Sequence, residues 1–435
     1  MRIAVVGSGV SGLVAAHALH TRHDVTIYEA DSRIGGHANT VDVEIDGRTV
    51  AVDTGFIVYN EPNYPGFCAL LDRLGVASQP SDMSFSVSDR ASGLEYGGSN
   101  LNTLFAQRRN VARPSFLRLL TEIGRFNRSA SRLVAGQSRW TATDRLVADD
   151  PAAGAGVGES LADFVRAGGY SRIFVRDFLV PFGAAIWSAD PGTFLDFPVL
   201  AYARFMQNHG LLELGGRPQW RTVTGGSRRY VEALTAPFRH RIHLATPAHK
   251  IVSHRDTIGA PLVEVLTNRG PELFDRVIIA THSDHALRLL SDPSDRVREI
   301  LGAIRYQANV ATLHTDARML PRNPRARASW NYAVGTGARR AAVTYWMNRL
   351  QSIETSRPLL VSLNRSDEID PSTRLAEFVY DHPVFDLAAM TAQQRRAEIQ
   401  GDDGLYFVGA YWGYGFHEDG VQSALDVVRR IESRR

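Results

Sequence analysis

The chain has 435 residues, of which 44% are hydrophobic and 22% charged, the balance of a globular protein long enough for two domains. Its net charge is a mild +3, yet Lys250 is the sole lysine, so any mechanism that needs one has Lys250 alone; biased base composition accounts for the arginine excess. One cysteine, Cys68, excludes an internal disulfide framework and a cysteine-rich metal site, and no stretch approaches the apolar length of a membrane span. With a strand entered at residue 3, no room is left for a signal peptide, so a cytoplasmic protein with no metal is expected.

Residues 3–6 are a short apolar run suited to a buried parallel strand. Gly7, Ser8, Gly9, Val10, Ser11 and Gly12 follow as Gly-x-Gly-x-x-Gly, and residues 13–19 read as a helix. Gly7 permits the tight turn, Gly9 lets backbone approach a pyrophosphate, and Gly12 lets helix and strand pack closely. The helix N-terminus offers unpaired N–H groups to phosphate. A second strand over 25–28 ends at Glu29 and Ala30, 17 residues beyond Gly12, where the carboxylate can accept ribose hydroxyls. Arg33, Gly35, Gly36 and His37 then add a second glycine turn, with the arginine placed to reach the same pyrophosphate. This Arg-x-Gly-Gly extension resembles the FAD-binding amine oxidase, protoporphyrinogen oxidase and phytoene desaturase superfamily.

Residues 41–53 alternate about Asp46-Gly47, a hairpin signal, and deliver Thr54, Gly55 and Phe56, which in the superfamily pass close to the flavin. A helix over 64–74 is expected to leave the cofactor domain, and 82–88 and 94–96 read as strands of a second sheet. Between 107 and 145 lie nine arginines, Arg108 and Arg145 the outermost, interleaved with apolar residues at helical spacing. Two readings stand: the solvated face of a domain helix, or a basic amphipathic surface on anionic lipid, hence a peripheral membrane contact. Nothing resembles a nucleic-acid module. Residues 147–158 read as a loop, and 174–191, with Trp187 near its end, reads as core or as cavity wall.

Gly225-Gly226 before a helix over 230–234 resembles the point where the superfamily's chain returns to the cofactor domain. Strands over 242–244, 248–252 and 262–267 form a small sheet, with Lys250 and Ile251 placed beside the adenine by the resemblance. The buried strand 275–281, ending in Ala280 and Thr281, matches the segment that backs FAD in relatives. Strands over 309–314, 329–333 and 342–347 belong to the substrate domain, to which Tyr345 contributes aromatic surface. A last strand, 405–408, leads through Gly409 and an aromatic loop to a helix over 421–431.

That helix, starting near Gly420 and Val421, points its N-terminus at the flavin pyrimidine edge by the same resemblance, worth about 0.3–1 kcal/mol to an anionic ring. Glu418 and Asp419 read either as first-turn acids or as substitutes for the acid relatives carry after Gly409, where this chain has Ala410. Amine oxidases of the superfamily place a lysine near the flavin; Asn309 stands roughly there. No cysteine lies in the C-terminal region, so FAD is expected to be non-covalent. Tyr414 and His417 are the candidates for catalysis, with Trp187 and Tyr345 as weaker wall candidates, each equally readable as packing.

Gly35-Gly-His-Ala-Asn-Thr40, Asp82-Met-Ser-Phe-Ser-Val-Ser88 and Arg217-Pro-Gln-Trp220 are similar to the flavin domain of plant cyclopropane fatty acid synthases and to stand-alone bacterial flavoproteins like it. The resemblance implies an α/β fold: a discontinuous Rossmann-like FAD-binding domain (1–62, 216–290, 400–435) with an inserted α+β substrate domain (63–215, 291–399). It implies an FAD-dependent oxidoreductase acting on a carbon–carbon bond of a fatty acyl chain or phospholipid, beside a lipid methyltransferase partner. The alternatives are a flavin amine oxidase and a non-catalytic flavoprotein partner of that methyltransferase.

Overall fold

Five short apolar runs, drawn from stretches far apart in the chain, line up as one parallel sheet. In spatial order they are Ile242–His243, Asp24–Tyr28, Arg2–Val6, Arg276–Ile279 and Leu405–Phe407. The computed structural model describes residues 1–136, 158–213, 215–255, 257–335 and 340–433; Arg139, Arg145 and nearly all of the 147–158 loop lie outside them. The central strands are apolar at successive positions because both faces are covered, and Ile3, Ala4 and Val5 are fully buried. One face carries the helices Val10–Leu19, Pro65–Leu74, Arg228–Thr235 and His417–Ser433. The other carries an antiparallel sheet of Ala248–Arg255, Pro261–Thr267 and Gly270–Phe274, with helices Ser283–Leu289, Asp295–Gly302 and Leu387–Gln394.

Three expectations change here. Residues 242–243 do not join the small sheet: they extend the parallel sheet beside Asp24–Tyr28, where His243 stacks on Tyr28, and Gly270–Phe274 supplies the third small-sheet strand. Pro65–Leu74 does not leave the nucleotide-binding core, since Phe67, Leu70 and Leu71 are packed inside it, so the boundary at 63 falls after this helix. The C-terminal helix begins at His417, four residues before the expected start. Gly420 therefore lies inside it, where a Cβ would come within 2.8 Å of Ser11 Oγ and 2.9 Å of a Val10 methyl. Its glycine lets two helices touch and does not mark an N-terminus.

The second body is a seven-stranded sheet in the order Arg374–Val384, Arg305–His314, Leu360–Leu363, Val343–Trp346, Trp330–Val334, Phe85–Asp89 and Leu94–Gly97. All its pairs are antiparallel except Trp330–Val334 with Phe85–Asp89. The hairpin Thr40–Ile45/Arg48–Asp53 turns at Asp46 (φ 54°) and Gly47 (φ 72°), both left-handed as a tight two-residue turn demands, and packs Val43, Ile45 and Val52 onto this sheet's core. Helices Pro114–Gly136, Val180–Trp187 and Val199–Asn208 form a further layer around Phe116, Phe126, Trp187, Tyr202 and Phe205. No helix among the described residues is long and apolar enough to cross a membrane.

Candidate active site

A cavity of about 1610 Å³ opens at the carboxyl ends of the parallel strands, where Gly7, Glu29, Thr281 and Gly409 follow four of them. It runs on between the two bodies and exceeds the ~300–1,000 Å³ of a single small-molecule pocket. A cofactor and a second molecule can both be housed.

The cradle end is built from backbone. Gly7 has φ 105°, and a Cβ there would meet the Ala280 carbonyl at 2.9 Å; a Cβ on Gly12 would sit 2.1 Å from the Gly7 carbonyl oxygen. Both glycines are thus required by the protein's own packing. Gly9 is different, because a Cβ there would meet nothing within 4 Å. Its bareness keeps open a space that faces the cavity, as the approach of a pyrophosphate needs. Arg33 lines the same wall, and its Nη1 is buried with no protein partner among the described residues. An orphaned guanidinium N–H beside open backbone fits an anionic pyrophosphate.

Glu29 Oε2 accepts from Ser8 N–H (2.8 Å) and Ser8 Oγ (2.6 Å), and Oε1 from Asp31 N–H (2.9 Å). Three of about four acceptor sites are taken by the loop it organises. One remains for a ribose hydroxyl, fewer than the two hydroxyls a free carboxylate could grip.

Val10, Ser11, Ala30, Gly35, Gly36, His37, Thr54, Gly55, Phe56, Ala280 and Gly409 also line the cavity. Gly12 stands behind it. Lys250 and Ile251 do not reach it: Lys250 is exposed, Ile251 is buried in the opposite core, and the chain meets the cavity just before them, at Pro247 and Ala248. Glu418, Asp419, Gly420 and Val421 do not line it either. Glu418 accepts from the Gly66 and Phe67 N–H groups, both 2.9 Å, capping Pro65–Leu74; Asp419 accepts from Tyr414 and Phe416 N–H, both 3.0 Å, holding the aromatic loop. Both acids are spent on backbone N–H groups, the role helix ends ask of carboxylates.

Tyr414, His417, Trp187 and Tyr345 all face the cavity. Trp187 donates its indole N–H to the Tyr414 carbonyl (3.2 Å), and Tyr345 packs edge-on to Trp330. His417 stacks on Phe56 at 3.5 Å and shares a 2.9 Å hydrogen bond with the Tyr230 hydroxyl. Burial, helped by His37, pulls its pKa down to about 3, so the ring stays neutral and is a weak proton acceptor.

The strand Arg374–Val384 was not foreseen, and it supplies Tyr380, Asp381 and His382 to the wall. The two-residue alternation of Phe378, Tyr380 and His382 was the available signal. His282, from the turn after Thr281, joins His37 and His382, with ring centroids 5.8 and 5.5 Å from His37. Burial lowers both His282 and His382 to about 3. Asn309 is buried off the cavity and acts through His382. Val310 N–H donates to Asn364 Oδ1, which turns the Asn364 amide nitrogen toward Asn309 Oδ1 (2.8 Å). The Asn309 amide nitrogen then faces His382 Nδ1 at 3.0 Å, and this assigns the ring proton of a neutral His382 to Nε2. His282, His285 and Asp381 offer ligand atoms within 4.8 Å of one another, but Arg288 lines the same wall and opposes a cation.

Beyond the cradle the wall turns apolar, with Phe85, Leu120, Ile123, Phe178, Phe182 and Trp330 among its members.

The family model described as "Flavin containing amine oxidoreductase" matches residues 10–382. A curated relative, the chloroplastic protoporphyrinogen oxidase of Oryza sativa subsp. japonica, is 36% identical over 19% of this chain and 19% of its own length. The chain thus spans about a fifth of that relative. Among solved structures, cyclohexylamine oxidase from Brevibacterium oxydans IH-35A has TM-score 0.69 at 16% identity, covering 99% of each chain. A CLA-producing fatty acid isomerase from P. acnes has TM-score 0.67 at 16% identity, covering 99% of this chain and 98% of that one.

Proposed function

The chain belongs to the flavin containing amine oxidoreductase family and is an FAD-dependent oxidoreductase, and we propose that it acts on a carbon–carbon bond of a fatty acyl chain, free or in a phospholipid. The observation that carries this reading is the apolar chamber continuous with the cradle, walled by Leu120, Ile123, Phe178, Phe182 and Trp330. The resemblance to the flavin domain of plant cyclopropane fatty acid synthases supports it, and the same fold serves a fatty acid isomerase. Against an amine substrate stands the placement of Lys250, the sole lysine, exposed and off the cavity.

When bound, FAD supplies a two-electron acceptor or donor. The chain's own residues do the rest. The glycine loop and the N-terminus of Val10–Leu19 hold the phosphates, Arg33 neutralises them, and Glu29 takes a ribose hydroxyl. The aromatic wall excludes water from the acyl chain. His282 and His382 remain uncharged, so the histidines of the wall place no ion in the chamber. Burial raises the Tyr345 hydroxyl far above its ordinary value, so it too stays protonated and neutral.

Anaerobic titration of the purified flavoprotein with acyl lipids tests the reading: the flavin spectrum should bleach. Robust peroxide production from amines, with no bleaching by any acyl lipid, would overturn it. A non-catalytic partner of a methyltransferase would leave the flavin oxidised with both.

A further inference from the structure

The segment 100–136 carries seven arginines and a single acid, Glu122, while the rest of the chain is net acidic. Glu122 is buried, and it accepts from Ser171 N–H (3.2 Å), so its charge is turned inward. Three of the eight exposed large apolar side chains among the described residues fall in the first half of this segment: Leu101 (74% exposed), Val111 (56%) and Leu117 (43%). Along Pro114–Gly136, Leu117, Thr121, Arg128 and Arg132 recur at four- and seven-residue spacing on the exposed side. The adjoining face of the same helix, at Leu120, Ile123 and Asn127, lines the cavity. Arg128 and Arg132 belong to both, forming a basic rim between solvent and chamber. Arg118 and Arg125 reach Glu122, whereas among the described residues no ion pair holds Arg128 or Arg132.

We propose that this segment is a docking surface for an anionic lipid bilayer. Leu101, Val111 and Leu117 enter the acyl boundary while the arginines meet lipid phosphates. Exposed apolar side chains interspersed with arginines along one segment suit the bilayer surface, with apolar tails beneath an anionic head layer. Arg128 and Arg132 stand where a lipid would pass from that layer into the cavity. The surface rests on the acyl reading only for what it delivers.

The test is sedimentation of the FAD-loaded protein with phosphatidylcholine vesicles, with and without phosphatidylglycerol. Binding should require the anionic lipid and weaken as salt rises. Arg128→Gln and Arg132→Gln should each weaken it about fivefold. The triple variant Leu101→Ser, Val111→Ser, Leu117→Ser should weaken it at least about tenfold with circular dichroism unchanged, since these side chains are already in water. Equal binding to both vesicle types, no binding at low salt, or parental binding by both sets of variants would overturn the proposal. Flavin bleaching by detergent-dispersed acyl lipid without vesicle binding sinks the docking surface alone. Vesicle binding without bleaching by any acyl lipid sinks the acyl reading alone.

Discussion

The two ends of the cavity are made by different means. At the cradle, residues close in sequence do the work: Gly7, Gly9 and Gly12 shape the backbone within six residues, and the Glu29 and Arg33 side chains follow within the next strand and turn. At the chamber recognition comes from side chains that never meet in the sequence: His37, His282 and His382 touch across more than 300 residues. A backbone site tolerates little substitution and says little about its substrate. A side-chain site can be rebuilt residue by residue, so it carries the specificity.

The largest expected effect comes from breaking the cradle without breaking the fold. Gly9→Ala places a Cβ in space the protein itself leaves open. The apoprotein should keep its melting temperature while FAD affinity falls at least about a hundredfold, since the methyl displaces the pyrophosphate's charge-assisted contacts. Unchanged flavin binding would place the pyrophosphate elsewhere. Next, Arg33→Ala removes one charged donor, worth about 1.5–3 kcal/mol, and should raise the FAD dissociation constant by roughly 10- to 150-fold in a fluorescence titration.

Acid should attack the chamber before the cradle. His282, His382 and His417 have pKa values of about 3 in the folded protein against 6.5 for a free ring. Below pH 6.5 the unfolded chain binds protons the folded one refuses. Their contribution is therefore complete above pH 6.5 and lost as pH falls from there toward 3. Denaturant unfolding should show about 1.4 kcal/mol lost per ring between pH 7.5 and 5.5. Replacing His417 with Gln should flatten this slope; a slope unchanged in that variant would contradict the burial argument.

Smaller still, Glu418→Ala should cost about 0.5–2 kcal/mol of stability, a helix-cap value, and leave FAD affinity alone. A loss of FAD with stability intact would return Glu418 to the cofactor. Lys250→Ala, on an exposed strand position, should change neither flavin content nor turnover.

How much of this was legible in the sequence follows the same division. Gly7, Gly9, Gly12, Arg33 and the Asp46-Gly47 turn could be read because each belongs to a short local pattern, and Glu29 because it closes the strand–loop–helix–strand unit whose loop residue Ser8 it binds. Gly420 could not. As a sequence signal it looks like a helix start, and only the contact with Val10 and Ser11 shows that it serves helix packing. Glu418 and Asp419 were ambiguous for the same reason, since a carboxylate serves whichever N–H the fold brings to it. Tyr380 and His382 were passed over because their alternation marks a strand without saying what it faces.

The sequence by itself determined a dinucleotide cradle, its FAD-type extension and the family, because those rest on short-range backbone geometry repeated in order. Only the tertiary structure decided that Lys250 stands outside, that Asn309 works through His382, and that an arginine-rich helix shares one wall with an apolar chamber. Those are contacts between residues whose spacing along the chain carries no information about their distance in space. They exist only once the parallel sheet and the seven-stranded sheet have closed on the cavity between them.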